Sequence, residues 1–237
     1  MNTHRKSIIC LAIALALASL SSPAVRAAGD GIPASCVGCD MSGADLQGRD
    51  LQGVSWVGSD LERANLRNAD LAHANFAGVD LRHADFRGAD MRDMRLAGTD
   101  MHAARLRGAH FGGTEIAGVD MSDARAHGVV MANIDIAGAR FRAADFASAS
   151  FAGSRLAGDD FRGTNLRGAD FSGAVLCLRD RDGRIACSDF AGADLRGATL
   201  VGVQICSSAR YARRCAPLTA QILRERAHAD LTGVRGI

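Results

Sequence analysis

The chain has 237 residues, with 28 basic and 26 acidic side chains, 27 glycines and seven cysteines. A near-neutral balance of this kind singles out no charged partner, and the length suits one elongated domain rather than several compact ones. Only 5% of the residues are aromatic, which leaves little material for stacking on bases.

Residues 1–27 read as a secretory signal. Arg5 and Lys6 precede an apolar run from Ile8 to Leu20, and Val25-Arg26-Ala27 places small residues at the minus-three and minus-one positions of a cleavage site, so the cut is expected after Ala27. The run is too short to span a bilayer stably, and nothing downstream approaches that length, so no membrane span is expected once the signal is removed. Cleavage removes three basic residues and leaves 25 arginines against 26 acids, a formal charge near −1. The expected location is periplasmic or secreted.

Residues 28–40 form an expected N-terminal cap containing Cys36-Val37-Gly38-Cys39. A CxxC can be a redox centre or half a zinc site, but a redox motif normally opens a helix and zinc needs two more ligands. A local disulfide that staples the cap is the favoured reading. No cofactor is expected.

From Met41 to Leu176 an apolar residue recurs at every fifth position, as in Leu61, Leu66, Leu71, Phe76, Leu81 and Phe86. That period buries nothing on a single helix or strand, because successive apolar residues would spiral around the one and alternate across the other. A chain that turns a corner every five residues points all of them inward, as a solenoid does. Two residues before each centre stands a small residue (Ala64, Ala69, Ala74), just before it a short polar one (Asn65, Asp70, Asn75), and two after it often Gly (Gly78, Gly88).

On those residues the chain resembles the pentapeptide-repeat family over roughly residues 37–205. The resemblance implies an all-β fold, a right-handed quadrilateral parallel β-helix with four units per coil, and a binding or scaffolding module rather than an enzyme. Columns of identical residues at a spacing of 20, such as Gly58, Gly78, Gly98 and Gly118, agree with four units per coil. The solenoid is assigned residues 41–205, with a hairpin insertion near 177–187, followed by a C-terminal cap at 206–237.

After Leu176 the period breaks and is read as resuming at Ile185, Phe190, Leu195 and Leu200. A three-residue loop at Arg181-Asp182-Gly183 with a left-handed Gly would set Cys177 opposite Cys187, so a disulfide is expected there. Export makes disulfides reasonable for Cys206 and Cys215 as well, but spacing alone leaves the remaining connectivity open. Pro217 is read as opening a short helix with Leu218, Ile222 and Leu223 on its apolar face. Ala229 to Gly233 matches the repeat unit again, so the chain either returns to the solenoid or continues as helix.

Any function should be written on the surface columns. Val57, Ala77, Ala97, Ala117, Ala137 and Ala157 make a flat, weakly apolar strip beside a glycine column, suited to packing on an unknown protein, an envelope component or a second copy of the chain, although an ordinary solvated face is the plainer reading. Asp40, Asp60, Asp80, Asp100, Asp120 and Asp160 stack in another column, where like charges about 5 Å apart repel by about 0.8 kcal/mol. Turn chemistry, aided by Arg82, Arg142 and Arg162, is preferred to calcium, and the pair Asp180 and Asp182 is read the same way. Arg67, Arg87, Arg107 and Arg167, with His127, form a basic strip interrupted by Asp85 and Asp145, and no nucleic-acid partner is expected from it. Neither catalytic nor metal-ligating residues are assigned, since no GxSxG, HExxH or phosphate-cradling loop occurs. The principal alternative is a DNA mimic: family members that inhibit or protect DNA gyrase resemble duplex DNA in width and negative charge. A metal or redox protein built on Cys36 and Cys39 trails both.

Overall fold

The computed structural model describes residues 32–179, 182–207 and 215–236. The expected signal, residues 1–27, and the loop residues Asp180 and Arg181 lie outside the described residues.

The coil follows from the backbone pairing. Asp60 pairs in parallel with Asp80, Asn65 with Asp85 and Asp70 with Asp90, each 20 residues apart, so four five-residue sides make one turn. On each side the N–H after the pairing position reaches up the stack, as in Leu61 N to Asp80 O at 2.8 Å, and the pairing residue reaches down, as in Asp80 N to Ser59 O at 3.0 Å. The four centre columns fill the interior. Leu61 and Leu81 belong to the first face, Leu66 and Phe86 to the second, Leu71 and Met91 to the third, and Trp56, Phe76 and Leu96 to the fourth, all with no exposed surface. Rings in one column stack: Trp56 on Phe76 at 5.3 Å, Phe141 on Phe161 at 4.6 Å, and Phe161 on Phe190 at 5.0 Å between centroids. The small residues two before each centre are buried as well, because the corner leaves no room for more.

The first two faces turn tightly in every coil and the third in most, with Ile134 N going instead to Ser154 Oγ of the next coil at 3.2 Å. Ala64 N donates to Leu61 O at 3.0 Å, closing a four-residue turn whose third residue, Arg63, has φ 58°. The fourth face is more extended. Strands β1 (Ser35–Val37), β2 (Ser55–Val57), β3 (Ile116–Ala117) and β4 (Ile136–Ala137) all lie on it, β1 paired with β2 and β3 with β4, both in parallel. The turn bond stretches to 3.2 Å at Val79 and 3.4 Å at Thr99. Elsewhere on this face a side chain from the next coil takes the N–H instead: Ser59 Oγ accepts from Cys39 N at 3.1 Å, Asp159 Oδ1 from Ala139 N at 2.8 Å, and Ser188 Oγ from Asp159 N at 3.3 Å. These polar residues occupy inward positions that hold alanine or valine in other coils, and each supplies an acceptor the open corner would otherwise lack.

The C-terminal part departs from the expected phase. Strand β5 (Val175–Arg179) leaves the fourth face and folds back on β6 (Ile185–Cys187) as an antiparallel hairpin with Cys177 opposite Cys187. Ile185 is therefore a half-buried hairpin residue facing Arg179, not a repeat centre, and the repeat resumes at Phe190. This coil spans 29 residues instead of 20, as the bond from Asp159 N to Ser188 Oγ records. Strand β7 (Gln204–Ser207) then pairs in parallel with β5 and antiparallel with β8 (Cys215–Pro217), giving a four-stranded sheet in the order β6-β5-β7-β8.

Helix α1 (Ala220–Arg226) starts later than expected. Pro217 ends β8, and Thr219 caps the helix, its hydroxyl accepting from Ile222 N at 3.3 Å. Leu218 and Leu223 are buried over the last coil. The chain then rejoins the stack, with Phe190 N on Ala227 O at 2.7 Å, Gly197 N on Gly233 O at 2.8 Å and Leu200 N on Arg235 O at 2.9 Å. Helix and tail together pair the last coil's edge, the contact an open solenoid end needs.

Candidate interaction faces

Along the fourth face, Ala117 stands in register with Ala137, and Val37 with Val57. Val57, Ala77, Ala97, Ala117 and Ala157 are half-buried and Ala137 is exposed. Val37, 81% exposed, extends the column by one coil at its N-terminal end. It precedes the first regular unit, so the five-residue period does not include it. The border of the strip is neutralised by ion pairs between successive coils: Arg95 Nε lies 3.3 Å from Glu115, and Arg155 Nε 3.5 Å from Asp135.

The aspartate column works locally. Asp60 Oδ1 accepts from Glu62 N at 2.8 Å, Asp100 Oδ1 from His102 N at 3.0 Å and Asp120 Oδ1 from Ser122 N at 2.9 Å, so each carboxylate closes an Asx-turn over the following corner. Arginines two residues on then grip the same groups. Arg82 reaches Asp80 through Nε at 2.9 Å and Nη2 at 2.6 Å, and Arg162 reaches Asp160 at 2.9 and 2.8 Å, with Arg142 bonding Asp160 from the coil before. The Arg82 fork holds the Asp80 carboxyl below the usual range, and Arg196 does the same for Asp194, down to about 2. No group of three or more His, Cys, Asp or Glu side chains among the described residues is placed to hold a metal ion.

Asp159 is the exception. It is 2% exposed, its Oδ2 has no partner, and burial pushes its carboxyl up to about 7 against the opposing backbone N–H groups of Ala139 and Gly138. Sequence reasoning missed it; the available signal was an acid at an inward position reserved for small residues.

The cysteines pair as near neighbours. Cys36 joins Cys39, Cys177 joins Cys187 and Cys206 joins Cys215. The last bond clamps β7 to β8 and closes the connectivity that spacing left open.

The basic strip is less uniform than its sequence suggests. Arg87 grips Asp85 through Nε at 2.7 Å and Arg167 lies 3.8 Å from Asp194, whereas Arg67 and Arg107 project from the second face without a carboxylate partner among the described residues.

The family described as Pentapeptide repeats matches in eight copies, over residues 39–76, 64–102, 74–113, 95–133, 104–142 and 139–176. The chain belongs to the pentapeptide-repeat family. Similar solved structures include full-length QnrB1, a plasmid-mediated fluoroquinolone resistance protein, at 24% identity over 72% of this chain and 81% of that one, with a TM-score of 0.47. HetL, a pentapeptide repeat protein involved in heterocyst differentiation regulation from the cyanobacterium Nostoc sp. strain PCC 7120, is 24% identical over 71% of this chain and 86% of its own, with a TM-score of 0.32. A pentapeptide repeat protein from the Arabidopsis thaliana thylakoid lumen is 32% identical over 52% and 71%, with a TM-score of 0.26. No curated protein matches. Among the described residues of this pentapeptide-repeat protein two surfaces stand out as candidate sites: the neutral fourth face, and the basic corner between the first and second.

Proposed function

We propose that the protein is an exported, non-enzymatic scaffold whose fourth face docks a protein or envelope partner, a second copy of the chain included. The observation that carries this reading is the strip from Val37 to Ala157: small side chains in register, with charges at its border cancelled between coils. A partner can approach such a surface closely without stripping water from an unpaired charge. Three disulfides support an oxidising compartment, periplasmic or extracellular, as does the expected signal. No helix among the described residues is long and apolar enough to cross a membrane. The DNA-mimic alternative is weakened because Arg82, Arg142 and Arg162 offset the aspartate column. The metal alternative is weakened because Cys36 and Cys39 are joined to each other, and the redox alternative because the CxxC lies on and just after strand β1 and opens no helix.

The test is crosslinking in intact cells with the wild type and with Ala97→Arg/Ala117→Arg. The reading expects wild-type crosslinks that the double variant loses while Ala147→Arg/Ser148→Arg, on the second face, retains them. Equal crosslinks in all three proteins would remove the fourth face as the docking site.

A further inference from the structure

Along the coils from Leu61 to Leu176 every arginine has a carboxylate within 4.0 Å except Arg67, Arg107 and Arg125, counted among the described residues. These three share one corner of the solenoid. Arg67 and Arg107 stand in the same second-face column with Arg87 between them, and Arg125 pairs in register with Arg105 on the preceding coil and with Asp145 on the next, whose carboxylate lies beyond 4.0 Å from its guanidinium. Arginines stacked on consecutive coils, about 4.8 Å apart, repel unless something negative lies beside them. Of the two nearby acids, only Asp85 is held by arginines, while Asp145 is bonded by neutral donors. Asp85 is gripped by Arg87 at 2.7 Å and lies 3.8 Å from Arg105, and Asp145 Oδ1 accepts from Ala147 N at 3.2 Å and from Asn165 Nδ2 at 2.8 Å.

The corner is also concave. Arg63, Asn65, Arg67, His83, Asp85 and Arg105 line an open depression of about 490 Å³. Arg63 and His83 reach it from left-handed backbone positions, φ 58° and 61°, where the fourth face uses glycine in coil after coil. Long side chains are held there at a conformational cost that glycine would avoid.

We infer that this corner binds a linear anionic polysaccharide, with its carboxylate or sulfate groups in the forks of Arg67, Arg107 and Arg125. The unpaired charges run along the stack instead of converging on one point, which suits a polymer better than a single small anion. Arg67 and Arg107 lie two coil rises apart, about 10 Å, comparable to the length of a disaccharide repeat. Guanidinium forks match planar carboxylates and sulfates. Nucleic acid fits less well, because among the described residues Trp56 and all nine phenylalanines are buried and their rings are closed to base stacking.

The experiment measures binding of the disulfide-intact chain to fluorescently labelled alginate and dextran sulfate, with neutral dextran and a DNA duplex as comparators. The charged polysaccharides should bind, dextran should not, and raising salt from about 50 to about 200 mM should weaken binding about tenfold or more. Arg67→Gln/Arg107→Gln/Arg125→Gln should lower affinity about tenfold and flatten the salt dependence, while Arg162→Gln, taken from a paired site, should change it less than about twofold. An unchanged melting temperature shows that the triple variant folds; if it does not, Arg107→Gln alone carries the same comparison with a smaller loss. Absence of binding, equal binding of dextran, unchanged affinity in the folded variants, or tighter binding of the DNA duplex would each overturn the assignment.

Discussion

The fourth face and the three turned faces meet the same demand differently. Each must bring the chain around a corner every five residues without leaving buried backbone groups unpaired. The turned faces do it locally at nearly every corner, as in Ala64 N on Leu61 O, Ile134 N on Ser154 Oγ being an exception, and so tolerate arginine, histidine, asparagine or alanine at the left-handed position. The fourth face opens its corner, keeps glycine at that position from Gly38 to Gly158, and borrows acceptors from the next coil. A turned face can project long charged side chains, whereas the open face is left smooth.

The largest break in this comparison comes from the shared interior. Phe146, a second-face centre with no exposed surface, packs on Phe141 at 5.2 Å and Phe151 at 5.5 Å. Phe146→Asp would bury a charge without a partner and remove that packing, so a loss above about 4 kcal/mol, enough to unfold the protein, is expected in urea melts. A loss comparable to a surface change would mean that the five-residue centres are not the core.

Asp159 tests the borrowed acceptors. Its folded pKa, about 7, lies above the ordinary carboxyl value of 3.8, so the folded state binds the proton more tightly than the unfolded chain does. Stability should therefore fall as pH rises from about 4 to about 7 and level off above that, by at most roughly 4 kcal/mol. Asp80 and Asp194, whose carboxyls are lowered, titrate at more acid pH and act in the opposite sense, with stability lost as pH falls through their folded values. Asp159→Asn should flatten the slope between pH 4 and 7 while leaving the acid limb in place. Denaturant midpoints at pH 5 and pH 8 suffice, and an unaltered slope in the variant would place the titrating group elsewhere.

The hairpin that leaves the fourth face gives an intermediate effect. The Cys177–Cys187 bond closes a loop with a separation of ten residues, and replacing both with Ser should cost about 2–3 kcal/mol. Peptide mass mapping of the unreduced protein should find these two joined.

What the sequence made legible tracks the same division. The centres, the 20-residue columns and the buried Trp56 follow from a period that every coil repeats, and the structure places them accordingly. Ile185 misled because it keeps the five-residue phase relative to Phe190 while serving as the arm of a hairpin, which only long-range pairing reveals. Pro217 misled because proline suits both a first helical position and a strand end, and Thr219 supplied the cap. The open fourth corner left only an ambiguous trace in Ser59, Thr99 and Asp159, polar residues at inward positions, because Thr114, Ser154 and Thr164 hold the same position on turned faces. The unequal pairing of the arginines left none, because whether Asp85 is held by Arg87 or left for its neighbours depends on side-chain geometry between coils.

The smallest effect sharpens the comparison most. Gly98 on the fourth face has φ 67° and Ala103 on the first has φ 56°, so both occupy the left-handed region at equivalent positions of adjacent units. An added Cβ at Gly98 would have nothing within 4 Å, so Gly98→Ala should cost only the backbone preference, about 1 kcal/mol. Ala103→Gly should recover strain of similar size, partly offset by the greater freedom of glycine in the unfolded chain, for a net gain below about 1 kcal/mol. Both should be read as shifts in the urea midpoint of the purified protein. If Gly98→Ala instead cost several kcal/mol, or made stability depend on protein concentration, the corner would already be packed against a second copy, and the smooth face would be an interface in solution rather than a surface awaiting one.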